Sequence, residues 1–314
     1  MSKKILITGI CGFIGSHIAE KLVELGYEVY GVDDMSTGKW NNIEHIKNVT
    51  IKIEDLKDFS LTDFGSGFVE NLDVICHQAA SCNVPKSMKD PEDYFENNVV
   101  NTHRLIMEAK EYGIKKVIIA SSSAAHDYIS PYGMSKKIIE DYSEFYNETY
   151  DMNIVNLRYF NVYGPRQSMD SQYSMVIPIF INKLLKGESP TIYGDGNQSR
   201  DFIYVDDVVD ANVAAIENDF RGKFDVGRGE STRIIDLYHI INNLINVKYG
   251  ELLYDEMPIF TTKRLGDPLR TKADIPDCKD YILGKYGDNF YKYWMPKTSL
   301  NEGLKKTIEW WKNE

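Results

Sequence analysis

The stretch "KKILITGICGFIGSHIAEKLVEL", residues 3–25, decides the fold of this 314-residue chain. It opens with an apolar run, passes through closely spaced glycines, and continues with apolar residues at helical spacing as far as Gly26. The pattern predicts a β-strand over 3–9 and an α-helix over 13–25.

Gly9, Gly12 and Gly15 lie between the predicted strand and helix. The first allows a tight turn, the second lets the backbone approach a pyrophosphate, and the third lets the helix pack on the strand. The helix N-terminus offers free N–H groups and its positive dipole end to phosphates. Asp33 ends the next predicted strand, where a carboxylate binds an adenosine ribose and repels a 2′-phosphate. These features predict an NAD site rather than an NADP site; the alternative is a glycine-rich turn without a ligand.

Strands and helices alternate through the first half of the chain. The predicted strands are 3–9, 27–33, 49–56, 73–80, 115–122 and 153–160, and the helices are 13–25, 91–112 and 133–151. This alternation predicts an α/β fold with a parallel sheet covered on both faces. In the second half, helical patterns at 174–187, 206–218, 232–247 and 299–312 are separated by loops rich in Gly, Pro and Asp. They predict a smaller second domain over the open end of the sheet.

Composition excludes several classes of protein. The net charge is −11 without a basic tract, so we expect no nucleic-acid partner. No run of about 18 apolar residues occurs, so we expect no membrane span, and 3–9 is interpreted as a strand rather than a secretion signal. The 4 cysteines and 6 histidines fit neither a disulfide framework nor a metal site. We therefore expect reduced thiols in a cytoplasmic protein and no metal.

Several longer motifs point to one family. They are TGICGFIGS (8–16), VDDMSTG (32–38), HQAA (77–80), NNVVNT (97–102), YGMSK (132–136), RYFNVYGPRQ (158–167), GDGNQSRDFIYVDD (194–207) and RLGD (264–267). On these motifs the chain resembles the extended short-chain dehydrogenases/reductases of the NAD-dependent epimerase/dehydratase family. It is most similar to the branch of UDP-glucose and UDP-N-acetylglucosamine 4-epimerases. The resemblance implies a Rossmann-type doubly wound parallel sheet with a smaller α/β substrate-binding domain.

The resemblance also implies roles for the matching residues. Tyr132 and Lys136 form the catalytic YxxxK pair, with Ser123 as its hydroxyl partner. The residues implied against NAD are this pair with Gly9, Gly12, Phe13, Ile14, Gly15, Asp33, Asp34, Ser36, Gly38, Asp55, Leu56, Ala79, Ala80, Asn98, Ser121 and Tyr159. Those implied against a UDP-sugar are Ser123, Asn161, Val176, Tyr193, Arg200, Arg264, Asp267 and Thr271.

Domains and partners follow from the same resemblance. We expect 1–165, with a return of 204–228, to bind NAD, and 166–203 with 229–314 to bind the nucleotide sugar. Family members commonly dimerise through a four-helix bundle. The predicted helices 91–112 and 133–151 would form it, although their outer apolar positions also suit an ordinary core.

Physical chemistry agrees with the YxxxK assignment. A phenol titrates near pH 10 and is a poor base at neutral pH. Lys136 lies on the same helix face as Tyr132, and its charge, with that of a nicotinamide ring, favours the phenolate. For Arg200 and Arg264, bidentate guanidinium contacts suit a diphosphate.

The residues after Ser123 bear on the reaction. The resemblance implies that 4,6-dehydratases need an acidic pair there and that decarboxylases carry a glutamate, whereas this chain has Ala124 and Ala125. We therefore predict epimerisation at C4 through a transient 4-keto sugar, with NAD regenerated. A decarboxylase or dehydratase of the same family is the alternative. His126 and Asp127 are either new acid–base groups or polar residues of a loop.

Thr271 bears on substrate size. It falls where glucose-type epimerases tend to carry a bulky tyrosine, so the sequence predicts room for an N-acetyl group. UDP-GlcNAc and UDP-GalNAc would then be accepted as well as, or better than, UDP-Glc and UDP-Gal.

The chain departs from the family at three places. The loop between Ser123 and Tyr132 is much shorter, and Asn101 stands where glycine is common. Residues 275–295 look longer, with Tyr281, Tyr286, Tyr291 and Tyr293 crowded together. This insertion either covers the opening left by the short loop or is a surface elaboration. The protein is accordingly either an active epimerase with an open site or a binding protein with a degenerate active-site loop.

Overall fold

A computed structural model describes residues 2–168, 175–249, 257–263, 268–276 and 290–313. They belong to two compact units, and each is described by itself. Unit 1 comprises Met1–Tyr159, Val208–Asp225 and Pro276–Met295, and unit 2 comprises Phe160–Asp207, Val226–Ile275 and Pro296–Glu314. In the described ranges, no helix has both the length and the apolar character that crossing a membrane requires.

The described strands occupy short segments throughout the chain. They are β1 Lys4–Thr8, β2 Glu28–Asp33, β3 Val49–Ile53, β4 Leu72–His77, β5 Lys116–Ser122, β6 Asn153–Tyr159, β7 Asn161–Tyr163, β8 Thr191–Tyr193, β9 Ser199–Arg200, β10 Phe202–Tyr204, β11 Gly222–Val226, β12 Thr232–Arg233 and β13 Ile259–Thr261. The described α-helices are α1 Phe13–Glu24, α2 Ser66–Val69, α3 Val84–Ser87, α4 Pro91–Phe95, α5 Asn101–Glu111, α6 Ala124–Asp127, α7 Pro131–Tyr150, α8 Val176–Leu185, α9 Val205–Glu217, α10 Ile234–Tyr249 and α11 Leu300–Asn313.

The core of unit 1 is a seven-stranded sheet in the order β11-β6-β5-β4-β1-β2-β3. Strands β1 to β6 pair in parallel. The chain starts in the middle at β1, runs outward to β3, and then crosses back to β4, so the order reverses between β1 and β4. The predicted doubly wound parallel sheet of Rossmann type is confirmed, and ligands of such sheets bind at this switch point.

Residue type explains why β1 is an inner strand of the sheet. Ile5, Leu6 and Ile7 of β1 are all fully buried, as a parallel strand covered on both faces requires. In α1, the buried residues include Ile18, Ala19 and Leu22, which share one face of the helix. The first strand and helix therefore form where the opening stretch predicts them.

The predicted helix over 91–112 is interrupted. Between α4 and α5 the chain forms a π-helical turn, Glu96–Val100. Asn98 lies in this turn and is buried. A π-bulge re-aims a side chain without ending a helix, and such bulges are frequent at functional sites. Sequence analysis predicted one helix because residues 96–100, ENNVV, contain no glycine or proline to mark an interruption.

Unit 2 contains three two-stranded sheets, which pair β7 with β10, β9 with β12, and β8 with β13. The helical patterns predicted in the second half correspond to α8, α9, α10 and α11, whereas the small strands were not predicted. Strands of two or three residues are too short to show the alternation that identifies a strand in sequence.

Two buried carboxylates hold separate segments of unit 2 together. Asp201 accepts hydrogen bonds from the backbone N–H groups of Arg228 (2.8 Å), Gly229 (2.8 Å) and Ala273 (3.0 Å). Burial raises the pKa of Asp201, and these three backbone donors act in the opposite direction. Asp201 thus connects segments of unit 2 that are far apart in sequence.

Asp207 does the same for the C-terminal part of unit 2. It accepts from the backbone N–H groups of Lys297 (3.1 Å) and Thr298 (3.0 Å). The hydroxyl of Thr298 donates to it as well, at 3.2 Å. Two of the four acids of the GDGNQSRDFIYVDD motif, Asp201 and Asp207, therefore support the fold, a role that sequence analysis did not assign to them.

Candidate active site

The turn between β1 and α1 is built from backbone at very close range. Gly9 has a φ of +70°, and a Cβ added to it would lie 2.8 Å from the backbone nitrogen of Ala79. A Cβ on Gly15 would lie 2.1 Å from the carbonyl oxygen of Gly9, a distance that no side chain tolerates. Gly12 is the N-cap of α1 and supplies no side-chain cap. The first N–H groups of α1 are therefore available to an anion, which fits the diphosphate of NAD.

Asp33 is fixed at the end of β2 beside this turn. Its Oδ2 accepts from the backbone N–H of Cys11 at 2.8 Å, and its Oδ1 accepts from that of Met35 at 2.9 Å. Burial raises the pKa of Asp33, whereas these backbone hydrogen bonds favour the carboxylate. A Cβ on Gly38 would lie 2.6 Å from Oδ1, so glycine keeps the approach to the carboxylate open. A carboxylate has further lone pairs for ribose hydroxyls, and the site fits an adenosine ribose.

The other residues predicted near the adenosine lie at the same edge of the sheet. Asp34 accepts from the backbone N–H of Ser36 at 2.9 Å and from its hydroxyl at 2.6 Å, which orders the loop after β2. Asp55 follows β3, and a hydrogen bond from the backbone N–H of Lys57 lowers its pKa. Leu56 packs against the core of unit 1. The carboxyl ends of β2 and β3 thus bring these predicted residues to one edge.

The HQAA motif begins with the last residue of β4 and contacts Thr8, the residue before the glycine turn. His77 is buried between two threonines, with Nδ1 2.7 Å from the hydroxyl oxygen of Thr8 and Nε2 2.8 Å from that of Thr102. Burial lowers the pKa of His77 to about 3, so the ring is neutral at physiological pH. The backbone N–H of Ala79 donates to the hydroxyl of Thr8 at 3.2 Å. Ala79 and Ala80 are half-buried next to the turn.

Asn98 acts on the protein around the site. Its Oδ1 accepts from the backbone N–H of Ser81 at 2.8 Å, and its Nδ2 donates to the carbonyl of Ser81 at 2.9 Å. Nδ2 also donates to the hydroxyl of Ser135 at 3.0 Å. The amide thereby fixes the chain after β4 against α7, next to Lys136.

Tyr132 and Lys136 are both buried on the first turns of α7. Burial raises the pKa of Tyr132, and a hydrogen bond between its phenol and the hydroxyl of Ser122 acts in the opposite direction. Lys136 donates to the carbonyl of Ala120 at the end of β5 at 2.8 Å, and burial lowers its pKa to about 8. In the protein alone, burial therefore outweighs the predicted activation of the phenol. Sequence analysis named Ser123 and missed Ser122, because adjacent serines at a strand end carry no pattern that tells which one faces the phenol.

The predicted loop after Ser123 contains the short helix α6 instead. The backbone N–H of Ser123 donates to the carbonyl of Tyr159 at 3.0 Å, which ties the start of the connection to β6. A Cβ on Gly133 would lie 2.5 Å from the carbonyl oxygen of Ala124, so α6 packs directly on the start of α7. Ser130 caps α7 by accepting from the backbone N–H of Gly133 at 3.1 Å. Small residues on both sides let a short segment connect strand and helix.

Two residues predicted to contact NAD use their side chains within the protein. Ser121 donates to Oε1 of the buried Glu140 at 2.6 Å. The hydroxyl of Tyr159 donates to Gln78 at 3.0 Å and accepts from Nδ2 of Asn212 at 2.8 Å. Burial raises the pKa of Tyr159 above its usual range, so it is a neutral phenol.

Three residues predicted to bind substrate come together in unit 2. Nδ2 of Asn161 donates to the carbonyl of Asp201 at 3.0 Å and to the hydroxyl of Thr271 at 3.4 Å. Arg200 is buried and donates to the carbonyl of Ser199 at 2.8 Å. The backbone N–H of Thr271 donates to that same carbonyl at 3.1 Å. The carbonyl of Ser199 therefore holds both Arg200 and Thr271.

The remaining predicted substrate contacts are placed as follows. Val176 is the first residue of α8, and Tyr193 is the last residue of β8; both are half-buried. Arg264 and Asp267 lie outside the residues that the structure describes.

Comparison with known proteins identifies the family. Residues 5–227 match the family described as "NAD dependent epimerase/dehydratase family". A putative UDP-glucose 4-epimerase of Methanocaldococcus jannaschii is 37% identical over 98% of both chains. A UDP-N-acetyl-alpha-D-glucosaminuronate decarboxylase of Bacillus cytotoxicus is 32% identical over 99% of this chain and 98% of its own.

Among solved structures, a UDP-N-acetylglucosamine 4-epimerase from Methanobrevibacter ruminantium M1, in complex with UDP-N-acetylmuramic acid, is similar over 99% of both chains. Its TM-score is 0.87 and its sequence identity is 36%. The predicted family resemblance is thereby confirmed, and with it NAD as the cofactor. The chain belongs to the NAD dependent epimerase/dehydratase family.

Proposed function

We propose that the protein is an NAD-dependent C4 epimerase of UDP-hexoses that acts through a transient 4-keto sugar. The observation that carries the proposal is the junction of β5 and α7, where Tyr132 and Lys136 lie buried together beside serine hydroxyls. Ala125 of this junction is fully buried, and the carbonyl of Ala124 packs on Gly133. Ala124 and Ala125 occupy the positions where the resemblance implies acids in dehydratases and decarboxylases, so these positions supply no acid here.

In the proposed reaction, Tyr132 takes the proton of the sugar 4-hydroxyl while the C4–H bond breaks, and the C4–O bond becomes a carbonyl. NAD, which the glycine turn and Asp33 would hold, would supply the hydride acceptor and donor for C4 and a positive charge near the phenol. Ser123 hydrogen-bonds the sugar oxygen, and Ser122 holds the phenol. After the keto sugar has rotated, Tyr132 returns the proton to O4, so neither cofactor nor water is consumed. Lys136 supports the phenolate and holds the nicotinamide ribose.

The binding roles are assigned in the same proposal. Residues 1–165 with 204–228 bind NAD through the glycine turn and Asp33. Residues 166–203 with 229–314 bind the UDP-sugar, and Asn161 and Arg200 are placed against its diphosphate. We place the enzyme in the cytoplasm.

The substrate range is proposed to include N-acetylated sugars, because Thr271 is small and hydrogen-bonded beside Asn161. Turnover of UDP-GlcNAc/UDP-GalNAc and of UDP-Glc/UDP-Gal should be compared in wild type and in Thr271→Tyr. We expect the variant to lose the acetylated pair selectively. An unchanged preference would remove this residue from the specificity argument.

A homodimer is proposed through α5 and α7. Their outward faces expose large apolar side chains: Met107, Tyr142, Phe145 and Tyr150. A groove lined by Ile138, Asp141, Tyr142 and Phe145 runs along α7. In sedimentation at micromolar concentration, wild type is expected to be a dimer and Phe145→Asp a monomer, with Glu144→Asp on the same helix as control.

The proposed function is tested by incubating the protein with UDP-galactose, UDP-GalNAc and UDP-glucuronate and separating the products by chromatography. We expect the 4-epimers of the first two. A decarboxylated product from UDP-glucuronate would favour the alternative that the Bacillus cytotoxicus relative exemplifies. No product from any of them, with NAD and UDP still binding, would favour a binding protein with a degenerate loop.

A further inference from the structure

We propose that His126 and Asp225 form a positioning pair that holds the short β5–α7 connection in place, and that Tyr291 holds Asp225 in turn. The consequence for turnover rests on the function proposed above. Together with Tyr291, the pair links two of the three places where this chain departs from the family pattern, namely the shortened loop and the residues around 275–295. All the residues concerned belong to unit 1.

The contact between the pair is direct. Nε2 of His126 lies 2.9 Å from Oδ1 and 3.2 Å from Oδ2 of Asp225. His126 is in α6, whereas Asp225 is in β11 at the edge of the sheet. The side chain of Asp225 is only 6% exposed, whereas that of His126 is 39% exposed, so the carboxylate end of this hydrogen bond is shielded from water and the imidazole end is partly solvated. The connection is therefore fastened at its middle to a strand that is distant in sequence.

The pair continues inward to the catalytic helix. Nη1 of Arg158 lies 3.3 Å from Nδ1 of His126 and 3.9 Å from Oδ1 of Asp225. The same guanidinium makes a bidentate contact with the fully buried carboxylate of Glu140, with Nε 2.8 Å from Oε1. Glu140 lies one turn after Lys136 on α7. A continuous polar chain thus runs from the short connection to the helix that carries Tyr132 and Lys136.

Glu140 also touches the other side of the site. Its Oε1 accepts from the hydroxyl of Ser121, the residue before Ser122 at the end of β5. Its charge interacts with Lys136 and raises the pKa of that ammonium, against the larger lowering by burial. A displacement of Arg158 therefore disturbs contacts of both β5 and α7.

Tyr291 fixes the backbone of Asp225. Its hydroxyl accepts from the N–H of Asp225 at 3.0 Å and donates to the carbonyl of the same residue at 3.2 Å. Phe290 stacks on Phe224 with ring centroids 4.9 Å apart, and Phe290 is fully buried. The described end of the insertion is thus packed against β11, next to the residue that holds His126. Tyr281 and Tyr286 lie outside the described residues.

This arrangement decides between the two interpretations of His126. Both ring nitrogens face partners within the protein, so the imidazole is positioned for support rather than for proton transfer to a sugar. The network holds two carboxylates and one guanidinium, and removing His126 or Asp225 takes a hydrogen-bond partner from the remaining members. A displacement of about 1 Å at a catalytic group costs up to about 100-fold in rate. We therefore expect the pair to control kcat.

The experiment compares His126→Ala, Asp225→Asn and Tyr291→Phe with wild type in the NAD-bound protein. Hydrogen exchange of residues 124–130 is measured by mass spectrometry, together with kcat and KM for the UDP-sugar that turns over. In each variant we expect exchange to be about 10-fold faster in this segment and unchanged in β1. kcat should fall about 10-fold while KM changes by less than about twofold. His126→Asn, which can still donate to Asp225, should recover most of kcat.

The double variant His126→Ala/Asp225→Asn should be no slower than the worse single variant, because the two residues act as one unit. Asp127→Asn, in the same connection, and Tyr293→Phe, beside Tyr291, serve as matched controls and should behave as wild type. Unchanged exchange at 124–130 in His126→Ala overturns the proposal, whether or not the protein turns over any UDP-sugar. Faster exchange with unchanged kcat overturns the positioning role alone. Absence of turnover in wild type counts against the proposed function instead.

Discussion

Two strand-to-helix connections at the carboxyl edge of the same sheet are built in opposite ways. The connection from β1 to α1 is backbone packed on backbone, with a Cβ at Gly15 only 2.1 Å from a carbonyl oxygen. The connection from β5 to α7 is held by side chains, chiefly the Asp225–His126 contact and the Arg158–Glu140 ion pair. The first relies on close backbone packing alone, whereas the second adds charged side-chain partners to the backbone contact between Gly133 and Ala124.

Because of this difference, the sequence predicts much more of the first connection than of the second. Glycine spacing is a local signal, so the first connection and its partner Asp33 follow from a short stretch. The second depends on residues from α7, β6 and β11, which only the folded sheet brings together. A connection of this second kind is free to change length without leaving a local signature.

The largest effect is expected for Tyr132, at the end of the β5–α7 connection. Tyr132→Phe removes the only proton carrier assigned to the sugar hydroxyl, so kcat should fall by about 10³-fold or more. NAD should stay bound, because the glycine turn is untouched, and chromatography of the cofactor released on denaturing the purified variant measures this. Nearly full activity in the variant would contradict the proposed function.

The next effect tests the first connection. Gly15→Ala forces a methyl group into the carbonyl of Gly9, and we expect a loss of about 3 kcal/mol in the free energy of unfolding together with NAD affinity. Gly133→Ala meets the carbonyl of Ala124 at 2.5 Å and should lower kcat while NAD remains bound. Gly67→Ala in α2, where a Cβ meets nothing within 4 Å, is the control and should stabilise slightly. Urea unfolding measures the stability of the three variants, and NAD titration measures their affinity for the cofactor. If all three bind NAD equally well, the two connections do not differ in the way described above.

Sequence analysis predicted the sheet, the glycine turn and the place of the YxxxK pair. The glycine turn followed from Gly9, Gly15 and Asp33, which serve local geometry that few other residues can adopt, and the sheet followed from the alternation of strands and helices, whereas the place of the YxxxK pair was implied by the family resemblance. It did not predict α6, the Ser122 contact or the support that Asp201 gives to unit 2, because these depend on which side chains meet after folding. The roles of the predicted site residues toward NAD and sugar stay predictions until ligand binding is measured on variants.

A smaller effect, which is measured in acid, concerns the stability that His77 contributes next to the β1–α1 connection. His77 is neutral in the fold with its pKa lowered to about 3, against about 6.5 in the unfolded chain. The unfolded state therefore binds the extra proton between these values. The stability contribution is fully present above about pH 6.5 and is lost as pH falls toward 3. From pH 7 to pH 5 wild type should lose about 2 kcal/mol from this group. His77→Asn should lose that much less over the same range, as urea unfolding at the two pH values measures, and equal pH slopes would contradict the burial argument.

The smallest effect separates the two serines at the end of β5. The hydrogen bond with Ser122 lowers the pKa of Tyr132 against the effect of burial, so Ser122→Ala should raise that pKa. Because Tyr132 must be deprotonated to take the sugar proton, the rising limb of the kcat profile should move to higher pH. We expect a loss of about 10-fold at neutral pH that is regained in base. Ser123→Ala, which removes the proposed contact to the sugar oxygen, should lower kcat at every pH without moving the limb. If the two variants exchange these behaviours, Ser123 holds the phenol once ligands are bound, and the β5–α7 connection rearranges on binding in a way that the glycine turn, packed on backbone, cannot.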